Sequence, residues 1–265
     1  MKAFLNFLKT LYTRRETLWA LAWRDLNIRY IGSYLGVLWI FIQPAISIFL
    51  MWIIFAVGFR SQPVNNLPFI LWLLTGYFPW LFIAECLITG TTAIRDNSYL
   101  VQKVVFPVSI LPVAKILASL IVHVFLTLVL LLLLGLYSVP LKWHSLQLIY
   151  YLLAAILLNL GLTWFSSAVN VFIKDLGQVI QVLVQFAFWA TPVFWSAEML
   201  PEKYRFWLNF NPFYYITDGY RNALIHNRWF WEHETTLYFW PICLIIFIIG
   251  AILFRNLRPH FADVL

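Results

Sequence analysis

Charge is what this sequence has least of. Asp, Glu, Lys and Arg make up 11% of its 265 residues, against 63% hydrophobic residues and a mean hydropathy of +0.82. A soluble core cannot hide that much apolar surface at this length, so a water-soluble globular protein is excluded and lipid is part of the solvent. Cysteine is nearly absent. Cys86 and Cys243 lie in separate apolar runs with no Cys or His at metal-ligand spacing. Both read as small hydrophobes, and no metal site is expected. No Gly/Ser-rich linker divides the chain and no internal repeat is visible. There is no GxxxxGK[ST] loop, so nothing in the chain cradles ATP phosphates. No Ser/His/Asp constellation suggests catalysis, and the chain is not expected to be an enzyme by itself. The basic N-terminus lacks a small-residue cleavage site, so no cleavable signal is expected.

What is present is apolar runs. About 20 apolar residues cross a bilayer as a helix, and six segments qualify: 34–59, 67–92, 107–136, 146–172, 176–195 and 236–254. Several run long, which implies tilt. A β-barrel would show period-two alternation and short turns. The expected fold class is therefore an all-α membrane protein with six transmembrane helices. Twenty-four Phe, 14 Trp and 13 Tyr suit membrane interfaces, and they also suit a surface that stacks on sugar rings.

Six spans put both termini on one side. With that topology twelve basic residues fall inside (Lys2, Lys9, Arg14, Arg15, Arg24, Arg29, Arg95, Lys103, Lys115, Lys174, Arg255 and Arg258). Six fall outside (Arg60, Lys142, Lys203, Arg205, Arg221 and Arg228). The positive-inside rule then places both termini in the cytoplasm of a bacterial cell, with the chain multi-pass in the inner membrane. The net charge of +7 gathers at the inner side, so it argues topology, and no nucleic-acid partner is expected.

Residues 1–30 do not span. Phe4, Leu5, Phe7, Leu8, Leu11 and Tyr12 recur at helical spacing, and Leu18, Trp19, Ala22, Trp23 and Leu26 continue the pattern. These residues read as amphipathic helices in the cytoplasmic interface, against membrane lipid, either as a plain anchor or as an anchor that also docks a partner. Residues 31–265 form the span-bearing domain. The loop RDNSYLVQKVVFP at 95–107 joins Arg95, Asp96 and Lys103 to apolar Tyr99, Leu100 and Val104 at helical spacing. It is either a connector or a short projecting helix fit for a groove on a soluble partner.

The outer segment 194–235 is too polar to span and too aromatic to float in water. Asn211-Pro212 makes a good helix start. Two short helices are expected, 201–210 and 212–226, dipping into the outer leaflet, with Trp207, Phe210, Pro212, Phe213, Tyr214, Tyr220 and Arg221 as candidate gate residues. A plain exposed domain is the alternative. In LGQVIQVLVQFAFWATPVFW, Gln178, Gln181 and Gln185 stand at i, i+3 and i+7 and share one helical face, which Trp189 extends. Tyr30, Tyr34, Gln43 and Ser47 form a weaker polar stripe on the first span. Such stripes either zip helices together by hydrogen bonds or line a route for a hydroxyl-rich solute. Glu85 and His123 are the ionisable residues inside spans, candidates for pairing with each other or with Arg60 and the outer segment.

IRYIGSYLGVLWIFIQP at 28–44, TPVFWSAEMLPEKYRFWLNFNPFYYITDGYRNAL at 191–224 and the tail FRNLRPHFADVL at 254–265 resemble polysaccharide-export ABC permeases of the type-2 class. The carrying features are the TP, LP and NP pairs and an aromatic run ending in YR. The likeness covers nearly the whole chain. It implies a homodimer with two copies of a separate ATPase subunit, which would hold ATP and Mg; no cofactor is expected on this chain. It implies an interface helix over 1–30, a coupling helix over about 95–105 that includes Arg95, Asp96, Tyr99, Leu100 and Lys103, and two re-entrant periplasmic gate helices over about 196–232. The channel would be built from the first and fifth spans and take a lipid-linked polysaccharide, O-antigen by preference over capsule or teichoic-acid precursors. Tyr30, Arg24 and Arg29 would stand at its cytoplasmic mouth, where the arginines meet either a carrier diphosphate or lipid headgroups. The residues alone also admit a permease for a small molecule or lipid, and an uncoupled channel or scaffold.

Overall fold

The structure, a computed structural model, describes residues 2–28, 34–58, 67–102 and 106–265. Helices α1 (Lys2–Thr13) and α2 (Arg15–Ile28) break at Arg14. α2 packs on α6 (Ile110–Leu136) through Ala22 and Leu26 against Ala118. The small Ala22 and Ala118 let the helices approach. Trp19 and Trp23 stand exposed on another face of α2. That leaves both rings free for the headgroup layer, where amphipathic aromatics are at home.

Four helical segments are long and apolar enough to cross a membrane: Phe69–Thr92, Ile110–Leu136, Trp143–Phe172 and Thr235–Val264. They match four of the six expected spans. The first and fifth expected spans form shorter apolar helices, Phe41–Phe55 and Leu176–Ala190. The α-helical core of the first is α3 (Trp39–Trp52), with Pro44 inside it, followed by a π-helical stretch Ile53–Gly58. The fifth, α8 (Leu176–Ala190), has 15 residues and so is about 22 Å long, short of a bilayer core of about 30 Å. It stops because Pro192 disfavours helical backbone at Thr191, whose ψ is 134°.

α4 (Phe69–Thr92) is the central post. It is apolar all round and packs on α6, α7 (Gln147–Phe172), α8 and α10 (Pro212–Arg221). A single core joins Phe82 and Ile83 of α4 to Tyr151, Ala154 and Leu158 of α7, Tyr215 and Ile216 of α10, and Phe239 and Cys243 of α11 (Thr235–Leu257). α7 and α11 cross where Gly161 meets Gly250: a Cβ on Gly250 would lie 2.1 Å from the Gly161 carbonyl oxygen. Small residues let helix backbones meet closely in a membrane. α3 and α8 sit at the periphery, and no described side chain of α8 is fully buried.

Beyond α4 a 3₁₀ turn, Arg95–Asn97, leads into α5 (Ser98–Val101). The outer segment forms α9 (Glu202–Leu208) and α10, which runs on as a π-helical turn to His226. α12 (Phe261–Val264) packs through Phe261 on the core that holds Ala93, Ile94 and Trp164.

Candidate translocation, coupling and outer-hairpin sites

α8 has three faces. Ile180, Val184, Ala187 and Phe188 pack on the protomer's own cores. Val179, Val182, Leu183 and Phe186 form an exposed apolar face. Gln178, Gln181, Gln185 and Trp189 form the third, also exposed. An amide taken into hydrocarbon without a partner costs about 4–8 kcal/mol on the cyclohexane scale. Three on one face make uncovered lipid contact untenable, so water, ligand or a second protein surface covers this stripe. Tyr34, in the turn that precedes α3, and Gln43 of α3 are exposed, and Ser47 is half-buried. Gln43 and Ser47 turn toward α4 and α6, and α3 shares no extensive contact with α8 within the protomer.

At the end of the bundle that carries α2 and α5, charged side chains tie these two elements together. Lys115 of α6 is buried and pairs with Asp25 of α2 and, at 3.1 Å, with Asp96 of the turn. Thr92 donates to Asp96 at 2.9 Å. Arg24 donates to Asn97 Oδ1 and to the Tyr99 hydroxyl. Arg95 donates to the Lys174 carbonyl at 3.2 Å. Leu100 packs into the core under this end. The helix expected over about 95–105 is thus short, a 3₁₀ turn and one α-turn to Val101, braced from beneath by α2 and α6. Arg29, Tyr30 and Lys103 lie outside the described residues. Arg24 carries the guanidinium that braces this turn, a connection that its sequence position at a helix–lipid boundary does not disclose.

The α9–α10 hairpin runs alongside the long helices. Phe213, in the first turn of α10, meets Trp80, eleven residues into α4 and so about 16 Å along it. The expected Asn211 cap is present: its Oδ1 accepts from the Phe213 and Tyr214 amides at 3.0 and 3.3 Å, and its Nδ2 donates to Thr191 Oγ1 at 3.0 Å. Arg221 is buried. It donates to the carbonyls of Pro192 and Val193 at 2.5 and 2.6 Å, and its guanidinium stands 3.9 Å from the Trp72 ring centroid. A Cβ on Gly76 would fall 2.5 Å from that guanidinium, so the glycine makes room for it. Burial pushes Arg221 down to about 10, which leaves it charged at neutral pH. Asp218 accepts from His233 at 2.8 Å and from Asn222 at 3.0 Å. Burial opposes the Asp218 charge. The His233 hydrogen bond and the charges of His233, Arg221 and His226 together outweigh it and hold the carboxyl below its usual range. Trp207 and Phe210 are exposed, with Phe210 meeting Tyr238 of α11 edge-on at 5.2 Å.

A cavity of about 450 Å³ lies between α3, α4 and α6, with Leu26 of α2 on its wall. It brings together Gln43, Ser47, Tyr77, Glu85, Ser119 and His123. His123 Nε2 is 2.8 Å from the Tyr220 hydroxyl, so α10 reaches the middle of α6. The buried Ser119 Oγ has no protein partner. Each buried polar group left unpaired costs about 1–3 kcal/mol.

The fold and its polar surfaces define a multi-pass helical membrane protein of the transporter kind. The model of the ABC-2 type transporter family matches residues 16–225, and the chain belongs to that family. It is similar to the O-antigen export system permease protein RfbA of Myxococcus xanthus, at 28% identity over 262 residues, covering 98% of this chain and 99% of that one. It is also similar to a Klebsiella pneumoniae protein of the same name, at 27% identity over 246 residues, covering 91% and 92%.

The structure groups the residues singled out in the sequence into separate places. The α8 glutamines stay together with Trp189. Gln43 and Ser47 join Glu85 and His123 at the cavity. Arg95, Asp96, Tyr99 and Leu100 gather with Arg24. Sequence reasoning missed Lys115 as a clamp, along with Asp25, Asn97, Thr191 and Gly76. A lysine inside the apolar run ILPVAKILAS was the signal for the first, since such a charge needs a partner.

Proposed function

We propose that two copies of this chain form the membrane channel of an ATP-driven exporter for a lipid-linked polysaccharide, with O-antigen the preferred cargo. The observation that carries the reading is the exposed glutamine stripe of α8, which needs a polar neighbour that the protomer itself does not supply. A second copy related by a two-fold axis supplies one, and the space between the stripes suits a hydroxylated chain. Amides meet hydroxyls in several geometries and aromatic rings offer flat apolar faces, so many weak contacts hold a polymer without stalling it. The names of the relatives support a glycan as cargo.

In this reading ATP and Mg sit on two copies of a cytoplasmic ATPase subunit, which push on the segment from Arg95 to Val101. The bracing of that segment by Arg24 and Lys115 passes the push to α2 and α6. The hairpin α9–α10 is the periplasmic gate, hinged at the Thr191–Val193 turn that Arg221 holds. Tyr34, with Tyr30 and Arg29, marks the cytoplasmic mouth, and both termini are cytoplasmic at the inner membrane.

The test is glycan export in cells carrying the chain and its ATPase. Replacing Gln178, Gln181 and Gln185 together by Leu is expected to abolish surface glycan while membrane insertion and dimer formation persist. Undiminished export by the triple variant would refute the channel.

A further inference from the structure

We propose that the cavity between α3, α4 and α6 is a binding site for a neutral, sugar-sized polyol, separate from the α8 stripe. Its volume of about 450 Å³ lies in the range of small-molecule sites, roughly 300–1,000 Å³. Ser119 and His123 are one helical turn apart on α6, each 2% exposed, and Ser119 Oγ lacks a protein partner. A polar atom buried that completely is paired in nearly all folded proteins, so a bound group is expected there. Opposite them, the Gln43 amide and Ser47 hydroxyl both donate and accept.

The chemistry of the wall selects the ligand class. Among the described residues no Lys or Arg lines the cavity, which argues against a phosphate or carboxylate. No group of His, Cys, Asp and Glu fit to hold a metal ion occurs among them. What remains is a mixture of hydroxyl, amide, imidazole and carboxylate groups beside the rings of Tyr77, Phe78 and Phe82. Ring faces for the apolar side of a sugar and convergent acceptors and donors for its hydroxyls are the elements of a carbohydrate site. A glycan's terminal unit and a glycolipid headgroup share that chemistry.

The site stands on the cavity alone and is read without transport. The full chain, carrying Cys86→Ala, Cys243→Ala and Val122→Cys, a wall position that holds none of the polar groups, is placed in lipid nanodiscs and reacted with a small methanethiosulfonate. The expected result is labelling of the thiol at position 122 that soluble methyl glycosides slow, by roughly sixfold at five times the dissociation constant, while glycerol and inorganic phosphate leave it unchanged. An alkyl glycoside in the nanodisc lipid tests the headgroup source in the same way. Gln43→Leu, at an exposed position on the opposite wall, is expected to abolish the protection while leaving labelling intact. Labelling that no glycoside slows would show a water-filled cavity only. A folded protein whose position-122 thiol is unreactive would show a closed, dry one. Either result overturns the proposal.

Discussion

Replacing Lys115 by Met tests how the membrane-surface end of the bundle is held. The Lys115 side chain is 10% exposed and its partners Asp25 and Asp96 are 15% and 44% exposed. Removing one member of a buried ion pair costs about 3–5 kcal/mol, because the remaining charge stays buried and unpaired. The Asp96 arm is open to solvent and screened, so it contributes at the level of a surface pair. The Asp25 arm then dominates, and discounting for its partial exposure leaves about 2–4 kcal/mol. At roughly 2–4 °C per kcal/mol for a chain of this size, the apparent melting temperature of the purified protein is expected to fall by about 4–16 °C at a fixed scan rate. The companion variant Lys115→Met/Asp25→Asn/Asp96→Asn removes all three charges and is expected to recover most of the loss, since neutralised ion sites are often no less stable than the pairs they replace. A single variant melting within about 2 °C of wild type, or a triple variant no better than the single, would refute the clamp.

Gly250→Leu drives a side chain into the Gly161 carbonyl. The backbone cannot give way cheaply, and a loss of at least about 1–3 kcal/mol is expected, read as lower yield of folded protein and a lower melting temperature. Arg221→Met removes both hydrogen bonds to the 192–193 carbonyls and the stack on Trp72. Proteolysis near residues 191–211 is expected to accelerate, and Gly76→Ala is expected to reproduce the effect by displacing the same guanidinium. Because the Asp218 carboxyl titrates below its free value of 3.8, its contribution to the hairpin is complete above that pH and is lost as pH falls through the depressed value. The protection factors of the amides over residues 212–233, that is, exchange corrected for the intrinsic pH dependence, should therefore fall at acid pH in the wild type, and Asp218→Asn should flatten that dependence while lowering protection at neutral pH.

The helical bundle was legible because hydropathy over about 20 residues reports burial in lipid directly. The hairpin was legible too: Asn211-Pro212 specifies a helix start by local chemistry, and α10 begins there. The length of α8 was not, because apolar composition runs on through Pro192 to Trp195 while the backbone turns at Thr191. The packing of α2 was not legible: its apolar pattern marks an amphipathic helix but does not say that Ala22 and Leu26 pack on α6 while Trp19 and Trp23 stand exposed. The Lys115 clamp joins residues 19 and 90 positions apart in sequence and the His123–Tyr220 contact residues 97 apart, and no local pattern encodes such meetings.

The most direct test of the central claim is disulfide formation in native membranes depleted of ATP and glycan, where the empty channel is closed and the two stripes meet, in a background with Cys86 and Cys243 replaced by Ala. Gln181→Cys on the amide face of α8 is expected to cross-link into a covalent dimer, and Leu183→Cys on the exposed apolar face to remain monomeric. Cross-linking by the Leu183→Cys variant, with the Gln181→Cys variant left monomeric, would turn the glutamines away from the twin subunit and contradict the account.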